Sequence, residues 1–239
     1  MLRRLLTVSL AALSAANGLA SSFNLNGLPH GTIVTNQVPG MTVAANNPNR
    51  PFDLAIIFDT NKTNTADPDL EGPNWPAGNL APHTDVGKIL IIAENKTDAN
   101  GDGLIDNPDD EGNRPAGQIF LTFAQPLTSF GFDLIDVDHE TDESGGLKFL
   151  MNGTQVGWIP FDAFTNPNSP HYQPTVAYGD HSANRIGPLT ILQNGQPTAF
   201  NKVVVYMGGS GGIGNIVPEP ASLLLLGLGA LALVRRRGC

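Results

Sequence analysis

From residue 21 to residue 207, the apolar residues of this chain recur with a period of two or in short unbroken runs. No stripe of helical period lasts three turns. In PFDLAIIFD (51–59), Phe52, Leu54, Ile56 and Phe58 alternate with Asp53, Ala55, Ile57 and Asp59, the pattern of a strand with one buried face. KILIIAE is apolar throughout from Ile89 to Ala93, as a central strand would be. QIFLTFAQ puts Ile119, Leu121 and Phe123 on one face. SFGFDLIDVD changes phase between Leu134 and Ile135, which predicts a bulge or burial on both faces. LKFLM, QVGWIPF, TVAY and NKVVVYM continue the series. Strands this short, joined by Gly, Pro, Asn and Asp, predict an all-β fold: a single β-sandwich, of jelly-roll type, with long acidic loops. Residues 41–50 and 59–86 read as strand-poor, and loops of the latter length in compact domains usually carry function.

The two ends follow a different rule. Arg3 and Arg4 precede an apolar run, Leu5–Leu13, and then the small residues Gly18 and Ala20, which is the order of an export leader over 1–20. At the other end, Ala221–Val234 is apolar for 14 residues and is followed by Arg235–Arg237. As a helix it would span about 21 Å, against a bilayer core of about 30 Å. Basic residues flanking a membrane segment stay on the cytoplasmic side, so the body would lie outside. The only helices expected are these two terminal ones, and the body would be a sandwich over 21–207 followed by a Gly-rich linker over 208–217.

The triplet Pro218-Glu219-Pro220, the apolar run and the arginine cluster together resemble the PEP-CTERM sorting signal of Gram-negative bacteria, here over 218–239. That resemblance implies processing by an exosortase near Pro218, Glu219 and Pro220. It also implies transient anchoring in the membrane, then release to a cell surface or extracellular matrix rich in exopolysaccharide. The order FDT, DPDL, G-x-x-L-I-I-x-E, PDDE and DLIDVD over about 50–140 resembles a globular domain that recurs in such proteins. It implies that three acidic groups meet at one end of the sandwich.

Charge narrows the partners. Without the five arginines of the two ends, basic residues fall from 13 to about 8 against 22 acidic ones, a net charge of about −14. Nucleic-acid binding needs a positive stripe to displace counterions and is excluded. Cys239 is the sole cysteine and lies in the tail, so the body has no disulfide and depends on its core, with a metal as the available aid.

The metal candidate is DANGDGLID. Asp98, Asn100 and Asp102 fall at positions one, three and five of a calcium loop, Gly103 at its sharp turn, and Leu104 offers a backbone carbonyl. Asp106 falls at position nine and Asp109 at position twelve, where a bidentate Glu is usual. Alternate residues of a tight loop point inward, which is how a chain gathers the six to eight oxygens that calcium prefers. The segment resembles EF-hand and dockerin loops, but a strand precedes it and no helix follows. Six carboxylates from Asp98 to Glu111 have no basic residue among them. The neighbouring acidic groups are Asp59, Asp67, Asp69 and Glu71, and Asp136, Asp138 and Glu140.

GGSGG (208–212) matches a nucleophile elbow and G-x-G-x-x-G matches a phosphate loop, but both motifs need a helix next. IGNIVPEP follows instead, so the glycines read as the linker. The five histidines have no zinc spacing. The expectation is therefore a non-enzymatic, calcium-stabilised surface protein. A carbohydrate-binding module is the alternative, with Trp75, Trp158, Tyr172 and Tyr178 as its candidate aromatics.

Overall fold

The computed structural model describes residues 22–138 and 144–220; the leader expected over 1–20, the apolar tail and Glu140 lie outside the described residues. Among the described residues there are eleven strands: β1 (Met41–Asn46), β2 (Ala55–Asp59), β3 (Lys88–Ile92), β4 (Gly117–Ile135), β5 (Gly146–Met151), β6 (Thr154–Pro160), β7 (Ala183–Leu189), β8 (Leu192–Gln193), β9 (Gln196–Pro197), β10 (Phe200–Met207) and β11 (Gly212–Pro220). Pro68–Leu70 and Phe161–Phe164 form short 3-10 turns. Among the described residues no helix is long and apolar enough to cross a membrane.

The architecture is an all-β sandwich whose layers share one strand. QIFLTFAQ and SFGFDLI, read above as two strands, are one 19-residue strand, β4. Its first half pairs antiparallel with β1 and β10, and β10 continues to β5 and β6. Its second half pairs with β7 and β11, and β11 continues to β3 and β2. Side chains from both halves of β4, among them Leu121, Phe130 and Phe132, enter the same core, together with Phe149, Phe200 and Val203.

A second apolar cluster covers the outer face of β2 and β3. Ile56, Phe58, Ile89 and Ile91 point into it from the strands, and Leu70, Trp75, Leu80 and Val86 cover them from the 59–86 loop. That loop is thus a structural lid on the sheet, and β2 is buried on both faces instead of one. Ile135 joins this second cluster while Leu134 faces the first, which explains the phase change read in the sequence.

Three sequence expectations are corrected. MTVAAN, placed in a strand-poor stretch, is β1 with alternate residues buried; Met41, Val43 and Ala45 provide too little bulk to announce it. TVAY has no strand, whereas ANRIGPL forms β7. The Gly-rich linker over 208–217 does not exist as such. Gly212–Gly214 run between β3 and β4, and Ile213 and Ile216 are fully buried. The glycines are there because space is short: a Cβ on Gly212 would lie 2.8 Å from Ile89 and one on Gly211 2.5 Å from the Ile135 carbonyl oxygen. The sandwich therefore ends at β11 and not at residue 207.

Candidate metal centre

The loop 98–106 folds around its own acidic side chains. Asp98 Oδ1 accepts from the Gly101 and Asp102 amides at 2.8 and 3.1 Å, and its Oδ2 from Gly103 at 3.0 Å. Asn100 Oδ1 accepts from Asp102 N at 2.8 Å, and Asp102 Oδ1 from Leu104 N at 2.9 Å. Asp106 Oδ2 closes the loop on Ala99 N at 2.7 Å. Gly103 has φ +83°, the left-handed conformation that only glycine adopts freely. Ile105 is buried in the second cluster, and its amide donates to the Gly31 carbonyl at 2.9 Å, so the loop is moored beside β2. Leu104 bridges Thr32.

Among the described residues the carboxylates of Asp98, Asp102 and Asp106 do not gather within 4.8 Å of one another, and Asp109 lies apart from all three. Past Asp106 the chain turns at Asn107, where φ is +45°, and runs back along the end of β3. Glu94 N donates to Asp109 O, Asp110 bridges Ala93, and Glu111 N donates to Ile92 O. An extended exit takes the place of the helix that would carry residue twelve back to the loop. Asp109 instead meets Asp67 and Asp110, with one carboxylate oxygen from each within 4.8 Å of the others.

Asp67 reaches this point from the lid loop. It heads the 3-10 turn Pro68–Leu70, with Pro68 at the first position and Oδ1 accepting from Asp69 N at 3.1 Å. Leu70, fully buried, fixes the turn against the second cluster. Asp110 accepts from Ser210 Oγ at 3.0 Å and from the Gly211 amide, both at the entry to β11. Ser210 Oγ also lies 2.9 Å from Asp136 Oδ2. Asp136 in turn takes the His181 amide at 2.7 Å and stands with Asp138 and Asp180 in a second carboxylate group. His181 Nε2 donates to the Glu71 carbonyl at 2.6 Å. Glu71 is held by Thr65, and Asp59 pairs with Lys88 at the end of the β2–β3 ladder, so neither joins the cluster.

Burial dominates the electrostatics. It raises Asp67, pushes Asp110 well up with help from Asp67, and lifts Asp109 to about 6 and Asp136 to about 7. Glu111, next in sequence, goes the other way: burial opposes its charge, but hydrogen bonds from Asn47, Arg50 and Asn113 prevail and lower it. Ser210 and the Asp67–Asp110 pairing were invisible in sequence. The only signal was a serine among glycines beside a buried strand, and it pointed to a linker.

The aromatic candidates separate. Trp75 is 1 % exposed, donates Nε1–H to the Thr84 carbonyl and stacks edge-on to His181, so it belongs to the core. Tyr178 bonds the Phe161 carbonyl. Trp158 and Tyr172 are exposed and line a cleft of about 710 Å³ beside β6, with His171, Gln173 and Leu192.

The triplet is the end of β11 itself. Val217, Pro218, Glu219 and Pro220 pair with Gly131, Phe130, Ser129 and Leu127 of β4, past the point where β3 ends, so the prolines take an edge where no amide is needed. The PEP-CTERM protein-sorting motif matches residues 217–237. The tail is a PEP-CTERM sorting signal. The chain is thus an exported exosortase substrate, held transiently by its C-terminal end, and the PEP-CTERM motif begins inside the last strand of the sandwich. No curated protein sequence matches the chain. Among solved structures, an exo-1,3/1,4-β-glucanase from a Pseudoalteromonas species is similar at a TM-score of 0.39 and 11% identity, over 89% of this chain and 22% of that one. The chain therefore spans about a fifth of that enzyme's length.

Proposed function

We propose that the mature protein is a non-enzymatic component of the cell surface or extracellular matrix, whose sandwich is stabilised by calcium at the loop Asp98–Asp106. The PEP-CTERM motif over 217–237 carries the destination. The loop supports calcium because the side chains at positions one, three, five and nine all turn onto the backbone of one tight, glycine-bent turn. Extracellular calcium modules bind at roughly 10⁻⁴–10⁻³ M, and a tenfold excess over such a constant adds about 1.4 kcal/mol for one site. Calcium should therefore raise the melting temperature by a few degrees, and Asp102→Ala should remove that part of the rise. Sodium at matched ionic strength is the control: if it stabilises as well as calcium, the loop is only a solvated acidic turn. Processing is read by mass spectrometry of the surface-exposed protein, which should contain no peptide beyond Pro218–Pro220. An intact Cys239 terminus there would refute it.

A second reading has one observation behind it. Trp158 and Tyr172 offer exposed rings at a wide cleft, the equipment a carbohydrate-binding module uses on exopolysaccharide. Retention on the producing strain's polysaccharide, lost in Trp158→Ala and unchanged in Trp75→Phe, would establish it. No retention would leave the matrix reading alone.

A further inference from the structure

We propose that Asp67, Asp109 and Asp110 form a buried site for a hard divalent cation, calcium in the extracellular setting, which ties the lid loop and the 109–111 segment to the entry of β11. The site is separate from the 98–106 loop, and either can exist without the other.

The first ground is an orphaned oxygen. Asp67 is 8 % exposed, and while its Oδ1 is occupied by the Asp69 amide, Oδ2 is buried with no donor. Asp110, 5 % exposed, lies opposite within the same 4.8 Å group. The strongest influences on these two are burial, each other, neighbouring backbone amides, Asp69 and Ser210, and no cationic side chain is among them. Two buried carboxylates facing each other are strongly disfavoured unless a proton or a cation lies between them.

The second ground is a proton count. Ser210 Oγ is within hydrogen-bond distance of both Asp110 and Asp136, yet a hydroxyl has one proton to donate. The second contact therefore needs either a proton on one of the two carboxyls or a cation that draws a carboxylate oxygen away from Ser210. The donor set decides what enters. It is carboxylate oxygen only, with no cysteine in the described residues and the His181 ring held by Glu71, which suits calcium or magnesium and not zinc or copper. Calcium tolerates an irregular ring of carboxylates better than magnesium, which keeps its water and an octahedral shell.

Equilibrium dialysis of the full chain after EDTA treatment, with Ca²⁺ as the probe, tests this. The wild type should bind two equivalents, Asp67→Asn one and Asp102→Ala one. In EDTA at alkaline pH, where the pair is driven to ionise, Asp67→Asn should melt higher than the wild type because it removes one of two opposed buried charges, whereas a residue needed only for packing would melt lower. Asp109→Asn, at a half-buried position, serves if Asp67→Asn does not fold. Loss of calcium from Asp102→Ala alone would overturn the buried site and keep the loop. Loss from Asp67→Asn alone would do the reverse. Equal stoichiometry in wild type and Asp67→Asn, as expected if the two acids share a proton, would overturn the proposal.

Discussion

Gly103 is held by conformation and not by space. Its φ is +83° and nothing would lie within 4 Å of a Cβ there. Gly103→Val should therefore cost about 1–2 kcal/mol of loop strain without a clash. Calcium affinity measured by titration calorimetry should fall about tenfold or more, while the far-ultraviolet dichroism is retained. Asp133 presents the opposite case. It is fully buried and paired across the ladder with Arg185, which donates Nε–H to Oδ1 at 2.8 Å and Nη2–H to Oδ2 at 2.9 Å. Burial still leaves Asp133 raised despite that fork. Arg185→Ala would strand a buried carboxylate, and urea unfolding should show a loss of about 2–3 kcal/mol. Arg185→Lys, which cannot bond both oxygens at once, should recover only part of that loss.

β4 and β11 are the elements that decide the architecture. β4 is long enough to serve both layers, and β11 fills the place between its second half and β3. A chain ending at Gly208 would leave Ile89, Ile91 and Leu134 beside an empty strand position, so it should fail to give a cooperative melt. A chain ending at Pro220 should melt like the body of the full protein. Equal melting of the two would mean that β11 is dispensable. Hydrogen exchange should find the Ile213 and Gly214 amides among the slowest and those near Val217 faster, because β3 covers only the first part of the strand.

Across the whole molecule the acidic cluster sets the response to pH. Asp109 at about 6 and Asp136 at about 7 both lie above the 3.8 of an unfolded chain. The metal-free folded state therefore holds protons that the unfolded state releases. The stability that they bring is complete below pH 4 and is lost as pH rises through 6 and 7, by up to about 1.4 kcal/mol per pH unit for each group. Urea titrations in EDTA should show stability falling from pH 5 to 8, and calcium should flatten that slope at its upper end. A metal-free profile that rises over this range would contradict the burial of these carboxylates. The two ends of the described chain also meet: Phe23 N donates to Ile216 O at 2.9 Å, so the start of the described chain lies beside the strand that leads to the sorting tail.

Short-range physics made much of this legible in advance. Period-two apolar runs identify strands because alternate side chains face opposite sides of the ladder, and short unbroken runs identify strands buried on both faces; β2, β3, β5, β6 and β10 were visible in one way or the other. The sorting tail was legible because its motif is one continuous segment that needs no tertiary structure to be recognised. The loop of Asp98, Asn100, Asp102 and Asp106 was legible as a tight turn because these short polar side chains bond neighbouring backbone amides. Asp109 fell outside it because the chain continues as an extended edge and not a helix. The partners that sequence could not supply are those set by long-range packing. Asp67 and Asp110 stand 43 positions apart and meet only when the lid loop closes on β3. Ser210 reaches them only because β11 inserts between β3 and β4. Glycines that looked like slack were narrow-gauge residues in a crowded strand, and only the neighbours in space could distinguish the two.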